Sequence, residues 1–536
     1  MGFVEEGGGL EETAYGKVDR DVGVFAACVK ATITEKLGFP GQLPLTRGIY
    51  PTMHRGRPWS QRQLIGFSTP EAFNERQHAM IASGTDAVSL IPCNSVFRGY
   101  DMDEVDVELL GTCGTLVNSV EDMARCLEGI DLEKVSIGLN DPSPFTLSAL
   151  FLAHARQKGA DWKRITGTSN QSDYISHFIA NHMFFRLALP GARRVLIDHI
   201  AFMRREVPGW NPISVVGQHM QQAGATPAEA MAFTLSTAIQ YAEDCVARGL
   251  PIDTVLPRFS FFFDISISFF EEVAKFRAGR RIWAKLTKER LGATDPRSWR
   301  FRFHSQTSGS DLTRQQPLNN VTRVAIQAMS AIFGGTQSLH TDAYDEALSA
   351  PSERAARVAV NTQNILREEA HLADVIDPLG GSYYVESLTT EYEKRIFEIL
   401  EEVEERGGTL KLIQEGGLQK HIADFAYETA LRKQSGEKPV IGVNRYVDEQ
   451  ADPKIETHPY DQTTADRQIA RTQRIRKERD QALIDRLLQQ LVEVAKDPSQ
   501  NIMPVSIELV KNGATMGDLV ETLKGVWGTY RETPVF

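Results

Sequence analysis

Apolar residues in this chain fall into short runs, separated by longer stretches in which they recur every three or four positions. The runs are LIGFS (64–68), AVSLI (87–91), VSIGL (135–139), RITGT (164–168), ISVVG (213–217), RFSFFF (258–263), RFRFH (300–304) and TQSLH (336–340). Each reads as a strand. The stretches between them read as amphipathic helices. After Ser266, for example, Phe269, Phe270, Val273, Phe276, Trp283 and Leu286 keep helical spacing, with Glu271, Glu272, Lys275 and Arg280 interleaved. Strands alternating with helices over roughly 280 residues predict an α/β chain built as a (β/α)8 barrel, although a doubly wound sheet gives a similar alternation. Residues 1–46 read as a Gly- and acid-rich N-terminal extension, and 47–440 as the barrel domain with trailing helices. Residues 441–536 read as a helical C-terminal region suited to subunit contact. There the longest pattern, 463–496, sets Ile469, Leu483, Leu487, Leu491 and Val494 on one stripe. Its first half carries Arg467, Arg471, Arg474, Arg476, Lys477 and Arg479, either a solvated face or a docking surface.

In a barrel, chemistry collects at the C-terminal ends of the strands. Three polar clusters fall there: Gly217-Gln218-His219, His304-Ser305-Gln306-Thr307-Ser308-Gly309, and His340-Thr341-Asp342 followed by Tyr344-Asp345-Glu346. Glu346 with His219 or His304 would make an acid–base pair. No nucleophile elbow, P-loop, GxGxxG after a strand or HExxH is present.

Charge adds one further feature. The chain carries 70 acidic against 59 basic residues, net −11, which argues against a general nucleic-acid binder. Yet no Asp or Glu occurs from Lys36 to Pro70, and residues 47–64 hold Arg47, His54, Arg55, Arg57 and Arg62. Such a strip is either a solvated basic loop or a site for phosphates, which arginine forks grip at two points. Tyr50, Pro58 and Trp59 would add rigidity and flat apolar surface. The run FSFFFDISISFF is too short and polar to span a bilayer. Five scattered cysteines without metal spacing, and an N-terminus lacking an apolar signal core, predict reduced thiols and a cytoplasmic address.

Specific motifs then narrow the choice. YPTM (50–53), RPW (57–59), RQ (62–63), GFST (66–69), RGYD (98–101), AGAT (223–226), FFEEVAKFRAGRR (269–281), HSQTSG (304–309), QSLHT (337–341) and DPLGGSYYVE (377–386) resemble the large, substrate-binding subunit of the adenosylcobalamin-dependent acyl-CoA mutases. That family includes the methylmalonyl-CoA, isobutyryl-CoA and 2-hydroxyisobutyryl-CoA enzymes. The final third, with ADFAYETALRKQSGEKPVIGVNRY (423–446) and GTYRETPVF (528–536), is most similar to the 2-hydroxyisobutyryl type. The resemblance implies a barrel that threads the pantetheine of coenzyme A along its axis, with small polar side chains making room. By position it implies that Tyr50, Thr52, Met53, Arg57, Ser60, Arg62, Thr168, Arg258 and Ser260 contact coenzyme A. Ser89 joins this substrate- and coenzyme-A-binding set, and Leu64, Ile91 and Asn181 take positions around the acyl group. His219 corresponds to the histidine that donates to the thioester carbonyl. Gln306, Glu346 and Ala347 correspond to residues facing adenosylcobalamin.

The departures are also informative. The family's cobalt-ligating DxHxxG loop is absent from this sequence. The resemblance therefore implies that a separate small subunit grips cobalamin, in a heterotetramer of two large and two small subunits. Leu64 stands where the methylmalonyl enzyme has tyrosine, and Asn181 where it has an arginine for the substrate's free carboxylate. Ile91 stands where the 2-hydroxyisobutyryl enzyme has an aspartate. The loop 92–97, Gly138, Asn140, Gln218 and an extra residue within 167–173 also depart. They point either to retuned specificity or to a subunit that has lost catalysis.

Overall fold

A computed structural model describes residues 37–66, 68–107, 110–111, 114–141, 145–180, 187–448 and 462–530. Asn181, most of the N-terminal extension and residues 449–461 lie outside the described residues.

The strands are β1 (Ser60–Gln61), β2 (Ala87–Leu90), β3 (Ser136–Asn140), β4 (Gly167–Asn170), β5 (Trp210–Asn211), β6 (Ile213–Val216), β7 (Phe259–Ile265), β8 (Phe303–Thr307) and β9 (Ser338–His340). All pairings are parallel, in the orders β1-β9-β8-β7-β6 and β2-β3-β4-β5. The two groups join at both edges. Pro212, which has no N–H to donate, separates β5 from β6 within one continuous strand. On the other side the β1 line runs on to Ile65, which bridges Leu90. The result is an eight-stranded parallel barrel, and the doubly wound alternative is set aside.

Three strands are displaced from their sequence positions. The first lies at 60–65 rather than 64–68, the fourth at 167–170 rather than 164–168, and the seventh at 303–307 rather than 300–304. Gln306 is therefore within a strand, not beyond it. Period-two alternation sorts each strand. Val88, Leu90, Ile137, Leu139, Ile213, Val215, Phe259, Phe261, Phe263, Ile265, Phe303 and Leu339 pack into the apolar cluster formed with the surrounding helices. Their alternates face the barrel axis.

The 463–496 pattern is two helices, Gln462–Glu478 and Gln481–Lys496, separated at Asp480, whose side chain caps the second. Much of the basic stripe is used internally. Arg471 pairs with Glu71 and Asp122, Arg474 with Glu121, Arg476 with Asp101 and Asp103, and Arg479 with Asp518. Arg471, Arg474 and Arg476 tie the C-terminal helices to the barrel's β2–β3 side, and Arg479 joins two of those helices to each other, instead of forming a free basic face. Among the described residues, no helix is long and apolar enough to cross a membrane.

Candidate active site

The sequence-selected residues separate into three levels along the barrel axis. Tyr50, Thr52, Met53, Arg57 and Arg258 precede β1 or β7 and lie at the N-terminal floor. Arg57 and Thr52 are exposed, and the Arg300 guanidinium stands 5.1 Å over the Tyr50 ring. Met53 is buried, in contact range of Gly48 and Gly335. Trp59 is also buried and donates to Gln363 Oε1 at 3.0 Å, so it offers no flat surface to a ligand. Arg47 is likewise committed, bonding Asp377 at 3.3 Å.

The middle level is the lining of the barrel. Ser60, Ser89, Ser136, Gly138, Thr168, Ser214, Ser260 and Ser338 all fall on inward positions. An ordinary barrel fills these layers with branched apolar side chains. Here Arg62 enters the interior, bonds Ser136 Oγ at 2.8 Å, and is pushed down to about 10 by burial despite the opposing charge of Asp86. Asn211 links Thr168 Oγ1, at 3.1 Å, to Arg302, at 3.4 Å. His304 bonds Ser338 Oγ at 2.8 Å, and burial plus the nearby Arg62 charge lower its pKa far enough to keep it neutral. Six buried polar atoms of this lining have no partner: Arg62 Nη1, Ser89 Oγ, Asn140 Oδ1, Ser214 Oγ, His304 Nε2 and Gln306 Oε1. Each such group costs about 1–3 kcal/mol when left unpaired. Together they suit a ligand rich in amide and carbonyl groups lying along the axis.

Gly138 lies on the inward face beside Arg62 and Ser89. A Cβ there would lie 2.6 Å from Arg62 Nη1 and 2.8 Å from Ser89 Oγ. Gly138→Ala is expected to raise KM for a ligand threading the barrel by about tenfold, about 1.4 kcal/mol, with kcat within about twofold. Steady-state kinetics against acyl-CoA concentration check this.

The third level is the C-terminal mouth. His219 is buried on a short helix, Gln218–Ala223, that follows β6 directly. Gly217 permits the close junction, since a Cβ would come within 2.5 Å of the Phe263 ring. Gln221 and Gln222 fasten the helix from below. Gln221 donates to Glu272 at 2.9 Å and accepts from Lys275 at 3.0 Å, while Gln222 donates to Asp264 at 3.1 Å. Lys275 and Glu272 form a fully buried ion pair beneath them. Asp264 is held well above the carboxylate range by burial and, more weakly, by the neighbouring carboxylates Asp342, Asp311 and Glu272.

Across the mouth, the Leu64 N–H donates to His340 Nδ1 at 3.1 Å, and His340 Nε2–H donates to Asp342 at 3.0 Å. Asp342 also accepts from Thr307 Oγ1 at 3.1 Å and from Gln306 at 3.5 Å. Glu346 reaches solvent but is walled by protein; desolvation, then Asp342 and Asp345, raise its carboxyl above the ordinary range. The Glu346–His304 pair is not formed: His304 Nδ1 bonds Ser338 and its Nε2 has no partner. Ala347 is exposed beside Glu346, and Ile91 is half-buried just past β2. Sequence reading missed Gln222, Asp264, Ser176 and His177 as parts of this site. Only the position of Asp264 near a strand end could have pointed to one of them.

For Gln306 and Glu346 the geometry fits a polar cofactor edge: Gln306 Oε1 is buried without a partner, and Glu346 is exposed at the same rim.

Comparison with known proteins agrees with this layout. The family model for methylmalonyl-CoA mutase matches residues 23–529. The 2-hydroxyisobutanoyl-CoA mutase large subunit of Aquincola tertiaricarbonis is 52% identical over 514 residues, covering 95% of this chain and 91% of that protein. The mitochondrial methylmalonyl-CoA mutase of Macaca fascicularis is 38% identical over 495 residues, covering 92% of this chain and 66% of that protein. The methylmalonyl-CoA mutase of Cereibacter sphaeroides is 38% identical over 497 residues, with 92% and 69% covered. The matched span contains all eight barrel strands, the lined axis and the His219, Gln306 and Glu346 mouth, and the chain belongs to the methylmalonyl-CoA mutase family.

Proposed function

We propose that this chain is the substrate-binding subunit of an adenosylcobalamin-dependent mutase. It moves the carbonyl-CoA group between adjacent carbons of a short acyl chain that has no second carboxylate. The observation that carries this is the axis of small polar residues joining the arginine-bearing floor to the His219 mouth. The longer strands, four to seven residues at about 3.3 Å each and tilted by about 36°, make a passage of about 11–19 Å, which suits a pantetheine arm.

In this reading Arg57 and Arg258 take phosphates at the floor. Ser60, Ser89, Thr168 and Ser260 line the arm, and Arg62 meets it inside. His219 donates to the thioester carbonyl oxygen, where charge or spin density builds during migration. Gln306, Glu346 and Ala347 face adenosylcobalamin, whose body is held by a small subunit in an assembly of two large and two small chains. Adenosylcobalamin, when bound, supplies the radical that takes and returns a substrate hydrogen. The chain's own contribution is to orient the acyl group and keep water from it.

Leu64 and Ile91 set the acyl class. A free carboxylate beside them would be buried without a cation, at a cost of several kcal/mol. They favour the isobutyryl/butyryl pair, because neither side chain accepts a hydrogen bond from a substrate hydroxyl. The 52% identity to a 2-hydroxyisobutanoyl-CoA mutase large subunit favours the 2-hydroxyisobutyryl/3-hydroxybutyryl pair as the second reading. The test is turnover of both pairs and of methylmalonyl-CoA by the complex with small subunit and adenosylcobalamin. Isomer from either of the first two and none from methylmalonyl-CoA is expected. No isomer from any short acyl-CoA, in a verified complex, would mean a structural rather than a catalytic subunit.

A further inference from the structure

His219 is held by a helix 43 residues earlier in sequence. Ser176 and His177 sit on helix Tyr174–Ala180, placing Ser176 Oγ 3.3 Å from His219 Nδ1. The His177 and His219 rings lie 4.4 Å apart between centroids, tilted by 44°. Asp173 fixes this helix to the end of β6, where His219 follows. Its Oδ2 accepts from the Val216 N–H at 2.9 Å, and its Oδ1 from the N–H groups of Ile175 at 3.0 Å and Ser176 at 3.2 Å. The Tyr241 hydroxyl also donates to Asp173. The contacts to His219 are therefore built on a braced element.

Proton accounting gives these contacts a role. His177 Nε2 lies 3.1 Å from the backbone carbonyl of Gln171, which can only accept, so that nitrogen carries a proton. Ser176 has one hydroxyl proton and two acceptors in reach: Asp173 O at 3.0 Å and His219 Nδ1 at 3.3 Å. With the proton on the Asp173 side, His219 must donate from Nδ1, and a neutral ring then has no proton on Nε2. With the hydroxyl turned to Nδ1, a neutral ring carries its proton on Nε2. Only the second form can donate from Nε2 to a carbonyl oxygen.

We propose that Ser176 is a positioning residue whose hydroxyl selects the Nε2–H tautomer of His219, and that His177 packs against the ring to fix its plane. The inference rests on the reading of His219 as thioester donor. Both side chains act through His219 and neither needs to touch substrate.

The experiment uses the assembled complex with adenosylcobalamin. Ser176→Ala is expected to lower kcat by about tenfold with KM within about twofold, and Ser176→Thr, which keeps the hydroxyl, to restore most of the rate. ¹⁵N-histidine spectra of the large subunit, with His219 assigned through His219→Gln, should show S176A moving the ring toward Nδ1–H and S176T leaving it unchanged. Wild-type kcat together with unchanged His219 shifts in S176A would overturn the proposal. Should S176A fail to fold, Ser176→Cys keeps the size with a weak donor, and an intermediate kcat is expected; a wild-type kcat there counts against the proposal. His219→Ala separates the two levels. If it leaves turnover intact, the functional reading itself fails; if it abolishes turnover while S176A is unaffected, only the tautomer role fails.

Discussion

His219→Ala should lower kcat by about 10²–10³-fold while KM for the acyl-CoA moves less than about threefold. The side chain is 3% exposed, so a bond from it to the thioester oxygen forms in a water-poor site where electrostatic stabilisation is strong. In the proposed reading Arg57 and Arg258 hold the coenzyme A handle at the floor and Arg62 meets it inside the barrel, so ground-state affinity has little dependence on this residue. Density on the carbonyl oxygen rises during migration, and the lost interaction belongs mainly to the transition state. His219→Gln keeps a donor of similar reach and should fall between, about tenfold below wild type. Steady-state turnover of the complex, normalised to bound cobalamin, is the measurement. An equal loss for Gln and Ala would argue for a role other than hydrogen-bond donation.

The alternation of strands and helices was legible because outward-facing strand residues are strongly apolar; Phe259, Phe261 and Phe263 are the clearest case. The inward residues broke the pattern where they were most useful. Ser60, Gln61 and Arg62 read as polar loop, so the first strand was placed four residues late. The polarity of Ser60 and Arg62 belongs to the lining, where Arg62 is buried against Ser136, while Gln61 turns outward to Asn364. The same effect shifted the seventh strand, whose inward Gln306 looked like a loop. Residues of the floor and mouth were found through motif resemblance, and the structure arranges them at opposite ends of one passage. What sequence could not show were contacts across long separations. Ser176 reaches His219, Leu64 reaches His340, and Arg471, Arg474, Arg476 and Arg479 pair with acids hundreds of residues away or in a neighbouring helix. The basic helix stripe was ambiguous for that reason: the partners of a charge are set by tertiary packing and not by its neighbours in the chain.

The DPLGGSYYVE motif supplies the largest expected effect on stability. Arg277, on helix Phe269–Lys285, is fully buried and forks between Asp377 and Glu386, with its Nε directed to Thr389 at 3.3 Å. Asp377 in turn holds Arg47 at the barrel floor. The two carboxylates outweigh the burial penalty and raise the guanidinium pKa, so it remains charged. Removing Arg277 leaves Asp377 with only Arg47 at 3.3 Å and Glu386 with only Arg281 at 3.8 Å as ion-pair partners among the described residues, so the buried charge is under-compensated. Arg277→Ala should therefore destabilise the chain by about 3–5 kcal/mol, read as a fall in the urea midpoint at unchanged slope. Arg277→Lys should recover little, because a single ammonium cannot reproduce a fork shared between two carboxylates. The double variant Arg277→Met with Asp377→Asn should recover a substantial part. It removes both fully buried charges at once and keeps at 377 a residue type that tolerates the left-handed backbone there, φ +49°. Recovery in the double variant would show that the loss in Arg277→Ala comes from stranding Asp377 in the interior; failure to recover would place it in the packing of the guanidinium itself.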